Sequence, residues 1–217
     1  MKIKKLVFLF FPLLGLLFLS LLNKNEIQNI NKPNIIFIAV DDLRPQLNCY
    51  GKNQIISPNI DDLASVSYTY ENAVCNFPVC GASRASLLTG LRPNKNRFKS
   101  YNTRMDVDAD NVLTMGEWFK KNEYFTLSLG KISHHNNDSP ESWSIPAWRA
   151  TKKWRDYQTK ENLAAIDTNK NNGAAKAFEI GEYLIDDYAD TKMVNKAIEQ
   201  LDELSKKEQP FFMALGF

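Results

Sequence analysis

Three short, almost unbroken apolar runs stand out along the chain: Asn34–Val40, Tyr124–Leu129 and Phe211–Phe217. Apolarity is continuous rather than alternating, and the first run is rich in β-branched residues. Such runs predict strands buried on both faces, as in parallel sheets. Helical patterns lie between them. Ser57 as N-cap and Pro58 at the first helical position open one helix, with Leu63 and Ala64 facing inward. Ser83–Leu88 reads as the first turns of another, with Leu87 and Leu88 toward a core. Thr114 caps a third, through Trp118 and Phe119. Asp190 caps a fourth, whose Val194, Ala197, Ile198, Leu201 and Leu204 repeat at helical spacing. Ser67–Val74 reads as a short strand or extended segment. Pro140–Tyr157 and the Asn- and Lys-rich stretch Lys160–Gly173 show no period and read as loops. Strands alternating with helices predict an α/β fold on a mainly parallel sheet.

The N-terminus has a different pattern. Met1–Lys5 is basic, Leu6–Leu22 is apolar, and Asn23–Lys32 is a polar linker. A basic start followed by an apolar run predicts an export signal over residues 1–22, with an uncleaved membrane anchor as the alternative. Either form places the protein outside the cytoplasm: periplasmic, secreted or anchored on the outer side. The remaining residues of this 217-residue chain suffice for one sizeable core. A net charge of +2 gives no footprint for nucleic acid. The chain stops directly after its last apolar run, which predicts a fragment whose final strand, Phe211–Phe217, leaves the sheet edge open. Three cysteines are an odd number. Cys49 and Cys75 can pair in an oxidising compartment or stay as buried thiols.

Two clusters of candidate chemistry follow strands. Asp41 and Asp42 close the first, where ligands of parallel α/β sheets collect. Adjacent carboxylates there suit a hard cation such as Ca²⁺, or a solvated loop. Lys131, His134 and His135 follow the second. A Lys offers a point charge to an anion, and a His can hold or donate a proton near neutral pH. Cys80 precedes a predicted helix N-terminus, where free N–H groups and the dipole favour an anion. Arg84 lies one turn further on. By itself, a Cys in such a place is a small buried hydrophobe more often than a nucleophile.

The run Cys80-Gly81-Ala82-Ser83-Arg84, followed by Thr89-Gly90, resembles the nucleophile signature of sulfatases, with Ala82 where Pro is commoner. Asn34–Pro45, Cys49-Tyr50-Gly51, Ser57–Asp61, Leu91-Arg92-Pro93, Gly130-Lys131 with His134, and Pro210–Phe217 resemble the iduronate-2-sulfatase-like branch of that family. The resemblance implies an alkaline-phosphatase-like α/β/α sandwich, incomplete at the C-terminus, with residues 33–217 forming the N-terminal part of a catalytic domain. It implies oxidation of Cys80 to formylglycine by a maturation enzyme. The hydrated aldehyde attacks sulfur with one hydroxyl and expels sulfate by deprotonation of the other. Cys80, Arg84, Lys131 and His134 would be catalytic. Asp41, Asp42 and Cys80 would hold Ca²⁺. The substrate would be a sulfated sugar of glycosaminoglycan type. A phosphoesterase or phosphonate hydrolase is the alternative on the same fold; a truncated, non-catalytic chain is the alternative of another class.

Overall fold

The computed structural model describes residues 32–151, 156–167, 176, 178–182 and 184–217. The chain divides into Met1–Pro33 and Asn34–Phe217, and the architecture here is that of the second unit. The export-signal reading of residues 1–22 lies outside the described residues, as does most of the linker. Among the described residues, no helix is long and apolar enough to cross a membrane.

The three apolar runs form one parallel sheet. Its strands are β1 (Ile35–Ala39), β2 (Phe125–Gly130) and β3 (Phe211–Gly216), in the order β1-β3-β2. The last strand is therefore central. Its six residues are all buried, and it pairs on both sides. The expected open edge at Phe211–Phe217 is thus corrected: both neighbours come from earlier in the chain. Register brings the strands to a common end, since Ala39 and Gly130 both pair with Gly216.

Side chains on β3 alternate between two cores, as strand geometry requires. Phe212 and Ala214 join Ala82, Ala85 and Leu88 of helix α2 (Cys80–Thr89). Phe119, from helix α4 (Met115–Lys121), stacks on Phe212 with centroids 4.4 Å apart. Phe211, Met213 and Leu215 join Leu127, Leu129 and the helix α6 (Ala189–Leu204) on the other face. The result is helix, sheet, helix. Helix α1 (Pro58–Ser65), the short α3 (Met105–Asp108) and α5 (Lys160–Asp167) complete the helical set of the described residues.

Several expectations change. β1 is buried on one face alone: Ile36 and Ile38 are 48% and 55% exposed, because α6 packs against β2 and β3 and does not reach β1. No strand forms over Ser67–Val74, where Tyr68, Tyr70 and Val74 are exposed. Leu63 faces solvent rather than the core, and Leu87 is half-exposed while Leu88 is buried. The helix bearing the cysteine starts at Cys80 itself, not at Ser83. Tyr188, not Asp190, stands at the N-cap of α6, and its buried face is Met193, Ala197, Gln200 and Leu204. Val194 and Ile198 lie outside that face and are exposed. Ala197 and Leu204 are buried and Leu201 packs against the core as expected, while Met193 and Gln200 take the places expected of Val194 and Ile198.

Lys160–Gly173 was expected to be loop, yet it opens as α5. The distant Glu179 carboxylate accepts from Gln158 N (2.8 Å) and Thr159 N (3.0 Å), organising the segment before the helix. A partner twenty residues away leaves no local signature. Residues 168–175 lie outside the described set. Within the 140–157 segment, a 3₁₀ turn forms at Pro140–Ser142, and residues 144–148 then run beside β2. There Ser144 N donates to Thr126 O and Trp148 N to Ser128 O.

Thr114 caps α4 as expected, through a full capping box. Its Oγ1 accepts from Glu117 N at 3.1 Å, and Glu117 Oε2 accepts from Thr114 N at 2.8 Å. Thr114 Oγ1 also lies 2.6 Å from Ser142 Oγ. Thr114→Ala should lower unfolding free energy by about 1–2 kcal/mol, measured by urea denaturation.

Candidate active site

The common end of the strands creates the site. Asp41 lies two residues past β1 and Lys131 one residue past β2, so both emerge above Gly216. Their side chains meet, with Lys131 Nζ 2.5 Å from Asp41 Oδ2. Close packing of backbone makes this possible. A Cβ on Gly216 would strike the Lys131 carbonyl, and one on Gly130 would strike the Gly216 carbonyl. Gly130 also needs its left-handed φ of 75° to turn the chain.

Helix α2 brings the third component. Val79 at its N-cap is extended, and Cys80 is the first helical residue. The first N–H groups of a helix have no partner within it, and the dipole end is positive. Gly81 lets this helix start sit against the Tyr101 backbone, since a Cβ there would collide with the Tyr101 carbonyl. At the other end Gly90, at φ 70°, stops the helix and donates to Ser86 O. Ser86 Oγ donates to Leu91 O at 2.7 Å and accepts from Asn76 Nδ2 at 2.7 Å. The distal part of the Cys80–Gly90 motif therefore ends and anchors the helix.

Arg84 is one turn past Cys80 and on the same face. It is 8% exposed. Its Nη1 donates to the carbonyls of Lys131 and Ile132, and its Nη2 lies 3.3 Å from Asp41 Oδ2. Cys80 Sγ lies 3.3 Å from His134 Nδ1. The His134 ring is flanked edge-on by Tyr101 and His135, with centroids 6.0 Å and 4.9 Å away. Cys80, Tyr101, Lys131 and His134 open onto a cavity of about 1190 Å³, whose wall includes Trp148, Arg149, Asp156 and Asp190. That volume holds far more than a sulfate ion.

Of the residues singled out from sequence, Asp41, Cys80, Arg84, Lys131 and His134 come together. His134, not His135, touches Cys80. Asp42 stands apart: it is exposed, at φ 52°, and pairs with no side chain among the described residues. Arg149 was missed, because it falls in a stretch with no periodicity. Its Nη2 donates to Ser133 O at 2.7 Å and to His134 O at 3.3 Å. The three cysteines are free thiols, so Cys49 and Cys75 do not pair.

The charges act on one another. Burial pushes the Asp41 pKa up, but the Lys131 hydrogen bond and the charges of Lys131 and Arg84 outweigh it and hold Asp41 below its ordinary 3.8. Burial first, then the charges of Lys131, Arg149 and Arg84, lower His134. Neutral His134 can therefore accept a proton from, or share one with, the group at position 80.

A depressed carboxylate stabilises the fold above its unfolded pKa and loses that contribution as pH falls through its folded value. The stability advantage of the wild type over Asp41→Asn should therefore be complete above the ordinary carboxylate range and be lost as pH falls below 3.8 through the lowered folded value. Denaturation curves across that range measure it.

Comparison with known proteins identifies the architecture. The family described as Sulfatase matches residues 33–217. Human iduronate 2-sulfatase is 35% identical over 190 residues, which cover 85% of this chain and 34% of that protein. A sulfatase of Formosa agariphila is 31% identical over 227 residues, covering 96% of this chain and 43% of its own. The crystal structure of Ps i-CgsB superposes with a TM-score of 0.58 at 26% identity, over 86% of this chain and 45% of that one. A phosphonate monoester hydrolase of Agrobacterium radiobacter shares the fold, with a TM-score of 0.56 at 16% identity over 86% of this chain and 40% of its own. The chain thus spans between a third and a half of the length of these relatives. The family match runs through every strand and through the helix that starts at Cys80, and this chain belongs to the sulfatase family.

Proposed function

We propose that residues 33–217 form the nucleophile-bearing part of the catalytic domain of an exported sulfuric ester hydrolase, acting on a sulfated sugar of glycosaminoglycan type. The observation that carries this reading is the contact of Cys80 with His134, at a helix start, beside Lys131 and Arg84, on a cavity large enough for a sugar. The names of the curated relatives support the substrate class.

Oxidised to formylglycine by a maturation enzyme, residue 80 would supply a hydrated aldehyde: one hydroxyl to displace the sugar alcohol at sulfur, the other to lose its proton as the aldehyde re-forms and sulfate leaves. Around it, this chain's own groups do four things. Lys131 places a point charge where sulfate oxygens gather. The N-terminal N–H groups of α2 add donors aimed at an anion. His134 holds or takes a proton at Nδ1, facing the reacting side chain. Arg84 fixes the Lys131 backbone and shares the Asp41 carboxylate, which keeps the Lys131 ammonium oriented.

Asp41 and Asp42 have the hard oxygen donors that Ca²⁺ takes, and Cys80 stands on the same side of the sheet end. The donor chemistry fits. The number is short of the roughly six to eight oxygens of a full shell. Among the described residues, no group of three or more His, Cys, Asp or Glu assembles as a cation site. Bound calcium would polarise and orient the sulfate. Calorimetric titration of the chain with Ca²⁺ should therefore show binding weaker than about 1 µM, lost in Asp41→Asn/Asp42→Asn.

Mass spectrometry of the Cys80 peptide, after co-expression with a maturation enzyme, should show a loss of about 18 Da, the thiol-to-aldehyde change. The complete gene product should then release sulfate from a sulfated disaccharide or aryl sulfate. Cys80→Ala should abolish turnover and leave the unfolding midpoint near wild type. Release of phosphate or phosphonate in preference to sulfate would select the other hydrolase chemistry that this fold supports. Turnover by an unmodified Cys80 thiol would overturn the proposal.

A further inference from the structure

Arg149 is a charged group in the cavity wall that none of these roles uses. Two backbone bonds place it. Trp148 N donates to Ser128 O, and Gly130 N donates to Trp148 O, both at 2.9 Å. The segment before Arg149 is thus fastened along the end of β2. From there the guanidinium crosses to the chain that follows the same strand. Its Nη2 takes the carbonyls of Ser133 and His134.

Arg84, from helix α2, does the same on the carbonyls of Lys131 and Ile132. Four consecutive carbonyls are therefore held by two guanidinium groups from different elements. In each case one terminal nitrogen, with its two N–H bonds, serves both carbonyls. The stretch 131–139 belongs to no helix or strand, so these bonds stand in for regular structure.

Ion pairing does not account for the position of Arg149. Among the described residues, no carboxylate pairs with it, and its Nε is buried without a partner. Placing a half-buried cation on neutral carbonyls, within the field of Arg84, costs free energy. What it gains is a fixed backbone under the residue that touches Cys80.

We propose that Arg149 is a positioning residue: its hold on the Ser133 and His134 carbonyls keeps the His134 ring against the side chain at position 80. This rests on the reading of Cys80 and His134 as reacting partners, but it can be tested without sulfate release.

Made without a maturation enzyme, the protein keeps the Cys80 thiol. Its alkylation by iodoacetamide at one pH, followed by peptide mass spectrometry, reports the surroundings of Cys80, with Cys49 and Cys75 as internal references. His134→Gln should change the Cys80 rate by about three- to tenfold. Arg149→Gln should reproduce most of that change, and the double variant should match His134→Gln alone. Arg149→Lys should fall between Arg149→Gln and wild type. In all of them Cys49 and Cys75 should react as in wild type. Three results would overturn the proposal. The Cys80 rate could be unchanged in both Arg149 variants, the two effects could multiply in the double variant, or all three cysteines could accelerate together in both Arg149 variants. Should only Arg149→Gln loosen the fold, the intermediate Cys80 rate of Arg149→Lys decides. Absent sulfatase activity in the matured wild type would instead refute the functional reading and leave this geometry standing.

Discussion

The Asp41 carboxylate is the hinge of the molecule's chemistry. It draws Lys131 from the end of β2 and Arg84 from α2 to the end of β1. Three elements distant in sequence are tied at one oxygen. A lone carboxylate there would repel its neighbour Asp42, and two cations alone would repel each other. Together they balance, and the balance sets where Lys131 points and how Arg84 reaches the loop beyond it. Because Asp41 is partly solvated, the tie remains adjustable.

The sheet explains why these groups can meet at all. Parallel strands with a common end deliver their following residues to one rim. The central strand is the last in sequence, so the rim is closed only when residues 211–216 insert between β1 and β2. That insertion pairs β1 with a strand far along the chain, Ile35 with Phe212, the kind of non-local contact that slows folding. Until it happens, β1 and β2 have no shared neighbour, and Asp41 has no fixed relation to Lys131.

Much of this was legible in the residues. Three continuous apolar runs gave three parallel strands, and Thr114 with Glu117 gave a cap. The Cys80 motif and the spacing of Lys131 and His134 pointed to groups that do converge. What was hidden depends on distant partners. The burial of one face of β1 depends on where α6 packs, and no property of Ile36 or Ile38 reports it. The buried face of α6 is set by the core that Met193, Ala197 and Leu204 share with Leu127 and Leu129, not by the apolar count along the helix. Helix α5 is organised by Glu179, and Arg149 finds its carbonyls across a loop. Periodicity reads a residue's own element; it does not read the neighbour that element meets.

The contact between Gly216 and the Lys131 carbonyl has a further meaning for how variation at this site should be interpreted. Gly216 carries no functional group and touches no reacting atom. Any side chain there would displace a carbonyl that Arg84 grips, and so disturb Lys131 and Asp41 in turn. In a genetic screen scored by activity, such a change would be indistinguishable from loss of a catalytic group. The tolerance of this rim to change is governed as much by the places where atoms are missing as by the charges themselves.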